Sequence, residues 1–247
     1  MNPIEQFELQ RIGAPITLFG VDASFTNSAL YMLLAASAAI LLTIFATSSR
    51  AVVPGRGQAL AEVLYEFIAN TVRQTAGKEG MRFFPFVFTL FTFILMSNLI
   101  GLVPYTFSLS SQIVITFAFA AFVITLVVLY GLYRHGLGFL KLFVPHGVPA
   151  PVLVVLIPIE IISFLSRPIS LSVRLFANIL AGHITLAVFG GFVVLLLGAG
   201  GWAALAPIPI VAVVAMYALE LLVNFLQAFV FAVLTCVYLN DAIHPGH

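Results

Sequence analysis

The hydrophobic positions of this chain fall in long uninterrupted runs rather than in short alternating patches. Residues 23–49 contain no charged side chain, and about 20 apolar residues are enough for a helix to cross ~30 Å of hydrocarbon. We therefore predict a transmembrane helix over 26–49.

A second run, residues 83–133, is also free of charge but is too long for one crossing. Pro104 and the serines that follow it mark a turn near its middle. The pattern predicts a transmembrane hairpin with helices over 83–103 and 112–133.

Between these two runs the pattern changes to a helical periodicity. Over 58–76 the apolar residues recur every three or four positions and the charges fall opposite them, which is typical of an amphipathic helix on a membrane surface. The apolar face comprises Leu60, Val63, Leu64, Phe67, Ile68 and Val72, and the polar face comprises Glu62, Glu66 and Arg73.

Two further apolar segments, 152–197 and 207–240, complete the chain and are separated by glycines and a proline. As a straight helix the first would measure ~70 Å, more than twice the thickness of the bilayer core. Hydropathy leaves open whether it forms two spans or one long, tilted helix.

Composition supports the membrane assignment. Hydrophobic residues make up 62% of the chain and charged residues only 8%, whereas soluble domains carry about 25% charged residues. We therefore predict an all-α integral membrane protein with one membrane domain. A net charge of +1 without a basic cluster argues against a nucleic-acid partner. The lone Cys236 excludes a disulfide framework.

The basic residues predict the orientation of the chain, since cytoplasmic loops of membrane proteins are enriched in lysine and arginine. Only Arg11 lies on one side of the predicted spans. The loops of the other side contain Arg50, Arg56, Arg73, Lys78, Arg82, Arg134 and Lys141. We expect the N-terminus outside and the C-terminus in the cytoplasm. The first thirteen residues lack the features of a secretory signal or a transit peptide, which favours a bacterial inner membrane over a mitochondrial one.

Ionisable residues inside the last two segments are the candidate functional groups, because a charge at bilayer depth costs roughly 2.5–3.5 kcal/mol and usually marks an ion pathway. At about 100° per residue the first segment carries one polar stripe, with His183 on the opposite face. The stripe comprises Glu160, Ser163, Arg167, Ser170, Arg174 and Asn178. A second stripe on the last segment comprises Tyr217, Glu220, Asn224 and Gln227.

Each of these residues also has a structural explanation. Arg167 could pair with Glu160, seven residues away, or extend towards the membrane surface. The amides of Asn178, Asn224 and Gln227 could join helices by hydrogen bonds. His183 alone could be an ordinary core histidine, whereas a carboxylate such as Glu220 in lipid normally has a functional reason.

Three sequence motifs resemble those of the a subunit of F-type ATP synthases. They are SRPISLSVRLFANILAGH over 166–183, SNLIGLVP over 97–104 and LQAFVF over 226–231. The similarity extends over essentially the whole chain.

The resemblance implies roles that hydropathy alone does not supply. In this family the last two segments are strongly tilted helices that curve around a rotating c-ring. Arg174 would face the ring carboxylates, and Glu160 would line the inner half-channel. Many bacterial members have an acid at the position of His183 and a histidine at that of Glu220. The exchange seen here implies that these two residues are adjacent.

The resemblance therefore implies a proton-channel subunit that is static and non-catalytic, with no cofactor. Its implied partners are the c-ring, b/b'-type peripheral stalk subunits and the remaining ATP synthase complex. The sequence contains no GxxxxGK[ST] nucleotide-binding loop. The alternative is a self-contained ion channel or secondary transporter.

Overall fold

A computed structural model describes residues 9–12, 17–18, 21–22, 24–48, 54–103, 106–144 and 150–244. Arg50 and Pro104, which entered the predictions, lie outside these ranges. Six α-helices dominate the described residues. Two short antiparallel strands, β1 (Thr17–Leu18) and β2 (Val21–Asp22), precede them. The helices are α1 (Asn27–Ser48), α2 (Arg56–Gly80), α3 (Phe84–Gly101), α4 (Ile113–His135), α5 (Ala150–Gly198) and α6 (Pro207–Ile243). The predicted all-α class is confirmed.

Short 3₁₀ segments join several of these helices. They span Met81–Phe83, Leu109–Ser111, Gly136–Phe143 and Gly200–Leu205. By length and composition, the described residues contain five segments able to cross a membrane, one of which runs through α2 into α3. The chain is thus a multi-pass membrane protein.

The long apolar segment that hydropathy could not resolve is one continuous helix. α5 runs for 49 residues and contains Pro158 and Pro168 in its interior. Each proline removes one backbone donor, which is tolerated in membrane helices where neighbouring groups compensate for the freed carbonyl. At 1.5 Å per residue the helix is ~74 Å long, so it cannot cross a ~30 Å core upright over its whole length.

The predicted amphipathic helix is α2, and its apolar face is used in two ways. Near the start of the helix Leu60 and Val63 are exposed, whereas Ile68 and Val72 are buried. The Phe67 ring lies 4.7 Å from that of Phe229 on α6. The second half of α2 therefore packs against the rest of the chain, and only its first half presents apolar side chains outward.

The core lies among α2, α3, α4 and α6. Its fully buried members include Ile68, Phe91, Val123 and Phe231, one from each of these helices. α5 contributes only a narrow buried strip to this core, namely Leu171, Leu175 and Ile179. Its remaining surface exposes large apolar residues such as Val154, Ile162 and Val194.

Candidate functional site

The site forms where α5 and α6 pack against each other. His183 of α5 contacts Glu220 of α6, and Arg167 of α5 contacts Asp241 of α6. A contact nearer the start of α5 thus falls nearer the end of α6, so the two helices are antiparallel. The structure brings the predicted pair His183 and Glu220 together.

The histidine–carboxylate pair is well shielded. His183 Nε2 lies 3.8 Å from Glu220 Oε1, and the side chains are 13% and 3% exposed. Neither carboxylate oxygen of Glu220 accepts a hydrogen bond from the part of the chain that the structure describes. An unsatisfied buried carboxylate is costly unless it is neutralised or reached by water, so the Glu220 side chain needs one of these two conditions.

A glycine makes room for the Glu220 carboxylate. A Cβ at Gly182 would lie 2.8 Å from Glu220 Oε1 and 3.1 Å from Cδ. Contacts this short force one of the two groups to move. A larger residue before His183 would therefore displace the Glu220 carboxylate from this position.

The depth and rotation of α6 are set by hydrogen bonds to α3. Asn98 Nδ2 donates to the carbonyl of Asn224 (3.3 Å), and Asn224 Nδ2 donates to that of Asn98 (3.4 Å). Ser110 Oγ donates to Asn98 Oδ1 at 2.6 Å. Both asparagines are buried. Asn224 lies one turn after Glu220, so these hydrogen bonds between α3 and α6 also fix the position of Glu220 along the axis of α6.

A second contact strengthens the same connection between α3 and α6. The Tyr217 hydroxyl donates to the carbonyl of Leu102 at the end of α3, 3.1 Å away. Tyr217 and Asn224 flank Glu220 on one side of α6, so two of the four residues in the second polar stripe bind α3. Asn224 therefore forms the interhelical hydrogen bonds that its structural explanation proposed.

Arg174 and Asn178 lie elsewhere on α5. Both are exposed, whereas Leu171, Leu175 and Ile179 on the adjoining face are buried. Within the described ranges Arg174 forms no ion pair with an acidic residue. Arg174 is therefore held at the outer surface of the protein, away from the His183–Glu220 pair.

Glu160 and Gln227 are half-buried. The described part of the chain gives neither of them a hydrogen bond or an ion pair with His183, Glu220 or Arg174. The structure therefore does not join these two predicted residues to the central pair by direct contact.

The suggested pairing of Arg167 with Glu160 is wrong. Arg167 Nη1 lies 2.6 Å from Asp241 Oδ2, and the guanidinium carbon stands 5.3 Å from the Phe164 ring centroid and 5.2 Å from that of Tyr238. The helical periodicity predicted the correct face of α5 for Arg167. A pattern within one segment could not indicate a partner on another helix.

Two polar residues at these contacts were missed as functional candidates. Asp241 lies one residue beyond the predicted end of the last segment at 240, whereas α6 continues to Ile243. Asn98 appeared only as part of a motif. Its position in an otherwise apolar span was the available signal, because an amide there requires a hydrogen-bonding partner.

Ionisable and amide side chains lie where these apolar helices contact each other. This arrangement defines a class, the multi-pass membrane proteins with polar sites inside their transmembrane spans. Comparison with known proteins narrows this class. The family model described as "ATP synthase A chain" matches residues 29–240. The chain belongs to this family.

Curated relatives agree over the full length. "ATP synthase subunit a" of Rhizobium etli (strain CIAT 652) is 59% identical over 250 residues, covering 99% of this chain and 98% of that protein. The protein of the same name from Mesorhizobium japonicum is 58% identical over 249 residues, with 100% and 98% covered. That from Allorhizobium ampelinum is 57% identical over 250 residues, with 99% and 98% covered.

The close approach at Gly182 generates a first prediction. Gly182→Ala should displace the Glu220 carboxylate at a cost of about 1–3 kcal/mol, partly offset by the ~1 kcal/mol by which alanine favours helix over glycine. The midpoint of thermal unfolding of the purified protein should therefore be lower than that of the Gly190→Ala control described below. In this background Glu220→Asp should cost less than in the wild type, because the shorter side chain withdraws the carboxylate.

Gly190→Ala on the same helix is the matched control, because a Cβ there meets nothing within 4 Å. It should leave the midpoint unchanged or raise it, since alanine favours helix more than glycine does. Equal effects of the two alanine substitutions would contradict the steric argument.

Proposed function

We propose that this chain is the proton-channel stator subunit of an F-type ATP synthase, supplying two offset half-channels to a ring of rotating carboxylates. Family membership supports the role. The single observation that carries the mechanism is Arg174. This cation is exposed on an apolar helix and, in the described part of the chain, has no acidic partner.

An arginine in that position needs an anion from another subunit. Leaving it at bilayer depth without one costs roughly 2.5–3.5 kcal/mol, and arginine cannot escape the cost by losing its proton. A ring carboxylate that ionises as it passes Arg174 would meet the requirement. The apolar surface of α5 and α6 around Arg174 is the face on which such a ring would pack.

The energies are of the right size for a reversible contact. At ~4 Å and an effective dielectric constant near 20, an arginine–carboxylate pair is worth about 4 kcal/mol, which corresponds to roughly 3 pKa units on the ring carboxylate. Moving one charge across 100 mV supplies about 2.3 kcal/mol. The two energies are of the same order, so the membrane potential can supply a large part of the energy needed to move the ring carboxylate away from Arg174.

The remaining residues divide between the two half-channels. His183 and Glu220 serve the outer one, Glu160 serves the inner one, and Arg174 separates them. Asn224 holds Glu220 in place through Asn98. The exposed Asn178 lies one turn beyond Arg174, and Gln227 lies one turn beyond Asn224, so both extend the polar tracks. The chain performs no covalent chemistry, and protons are its cargo.

The partners and location follow from the same proposal. The chain would contact the c-ring through α5 and α6 and b/b'-type stalk subunits elsewhere, within a bacterial inner membrane. The excess of basic residues in one set of loops puts the C-terminus in the cytoplasm and the N-terminus outside.

Orientation can be tested with terminal tags. A tag after His247 should be cleaved by protease added to inside-out vesicles, and a tag before Met1 should be cleaved only in right-side-out vesicles. A C-terminal tag that is protected in inside-out vesicles would refute the topology.

Substitution of Arg174 tests the central step. Arg174→Ala should abolish proton-driven ATP synthesis by the assembled complex and let protons leak between the half-channels. Arg174→Lys should also fail, because a lysine near lipid can lose its charge. Synthesis rates and passive proton conductance are measured in membrane vesicles.

Arg73→Ala is a matched control, because Arg73 is exposed on α2 and outside the proposed path. It should retain synthesis. Normal coupling in either Arg174 variant would refute the proposed role of the arginine. Ion conduction by the purified chain alone in liposomes would instead favour a self-contained channel.

The outer pair should behave as one unit, because a carboxylate and an imidazole in contact titrate together. His183→Ala and Glu220→Ala should each slow proton uptake, and the double variant should be little worse than either. Exchanging the two, His183→Glu with Glu220→His, should preserve more ATP synthesis than either half of the exchange.

The measurement is a double-mutant cycle on rates of proton-driven synthesis, with subunit assembly checked for every variant. If the two losses multiply and the exchange is no better than its halves, the residues do not form one relay. Glu220 would then act independently and His183 would be a core histidine.

A further inference from the structure

An ion pair also joins α5 and α6, nearer the start of α5 and the end of α6 than the contact between His183 and Glu220. Arg167 and Asp241 are 2.6 Å apart, and their side chains are 23% and 26% exposed. Phe164 and Tyr238 present their rings to the guanidinium from the two helices. Partial burial, a short contact and two aromatic rings distinguish this pair from an ordinary surface salt bridge.

The Arg167–Asp241 pair lies close enough to Arg174 to affect the charge near that residue. Arg167 precedes Arg174 by seven residues, which is two helical turns and a rise of ~10 Å. Without compensation, two permanent cations would therefore stand near each other on one side of α5.

We propose that Asp241 cancels the charge of Arg167, so that Arg174 is the one uncompensated cation that a passing ring carboxylate meets on α5. Asp241 is thus a positioning residue. Because it neutralises Arg167, the uncompensated positive charge of α5 lies at Arg174 alone. This inference rests on the proposed function, because it assumes a carboxylate that passes Arg174.

Other charged and titratable groups near this end of α6 have different partners. On α4, Arg134 pairs with Glu79 of α2 at 2.6 Å. His135 Nε2 lies 3.1 Å from the Ile243 carbonyl. His244 follows α6 and interacts with Glu79. Among the described residues, Asp241 is the acid in contact with Arg167.

A simple mechanical link between the helices would also explain the pair, and charge separates the two explanations. Asp241→Asn keeps the shape and an acceptor for Arg167 but leaves the cation uncompensated. Arg167→Gln leaves the anion uncompensated. The double variant Arg167→Gln/Asp241→Asn restores zero net charge while losing the ionic link. A mechanical role predicts no recovery in the double variant.

The experiment measures ATP-driven proton pumping against external pH in inside-out vesicles containing the whole complex, whose cytoplasmic face is outside. In Asp241→Asn the added cation opposes protonation of the ring from that face. A charge ~10 Å away at an effective dielectric constant near 20 amounts to about one pKa unit. The alkaline limb of the profile should therefore move about one pH unit towards acid.

ATP synthesis by Asp241→Asn should fall less than pumping, because synthesis releases protons at the cytoplasmic face and the added cation favours release. Arg167→Gln should shift the pumping profile in the alkaline direction. The double variant should return it to within a few tenths of a pH unit of the wild type.

Three outcomes would overturn the proposal. They are an unshifted profile in Asp241→Asn, a loss of amplitude without a shift in all variants, and a double variant as impaired as Asp241→Asn. The last would indicate that the carboxylate itself carries protons. If Asp241→Asn does not assemble, Arg167→Gln decides, because only charge compensation predicts its alkaline shift. None of these results bears on the proposed function, whose failure would appear as coupling retained in Arg174→Ala.

Discussion

The cost of an ionisable side chain inside the membrane governs this structure. Each such group must be paired, kept neutral, reached by water or supplied with a partner from outside the chain. Arg167 is paired with Asp241, and Glu220 lies beside a titratable histidine. Arg174 has neither arrangement within the described residues, and under the proposed function a ring carboxylate at the exposed side of α5 would provide its counter-charge.

These arrangements depend on the register between α5 and α6 and on the position of α6 against α3. The Arg167–Asp241 pair joins α5 to α6. The reciprocal hydrogen bonds between Asn98 and Asn224 join α6 to α3. A helix as long as α5, with little of its own surface buried, has few other means of maintaining its level. Polar contacts therefore fix the relative positions of the helices more precisely than apolar packing alone does.

The sequence predicted the helical class and which face of each helix is polar, because hydrophobic runs and a 100° rotation are properties of a single segment. It could not predict contacts between segments. The helical periodicity placed Arg167 on the correct face of its helix but suggested a partner on that same helix. Asp241 was missed because the apolar segment was predicted to end one residue before it. The burial of Ile68 likewise depends on the packing of α2 against other helices and not on the pattern of α2 alone. The adjacency of His183 and Glu220 came from family resemblance, and its geometry is now visible in the contact that Gly182 permits.

The separation of Arg174 from Glu220 follows from their different chemistry. An arginine in contact with Glu220 would hold the carboxylate ionised, since the pair would be worth about 4 kcal/mol at an effective dielectric constant near 20 and the arginine would not lose its proton. A histidine at 3.8 Å can neutralise the carboxylate and can also be neutral itself. Placing His183 about half a turn from Arg174 thus gives α5 two kinds of cationic site, one titratable and one permanent. The titratable site faces α6, while the permanent one faces outward, where under the proposed function a carboxylate of the rotating ring would provide its counter-charge.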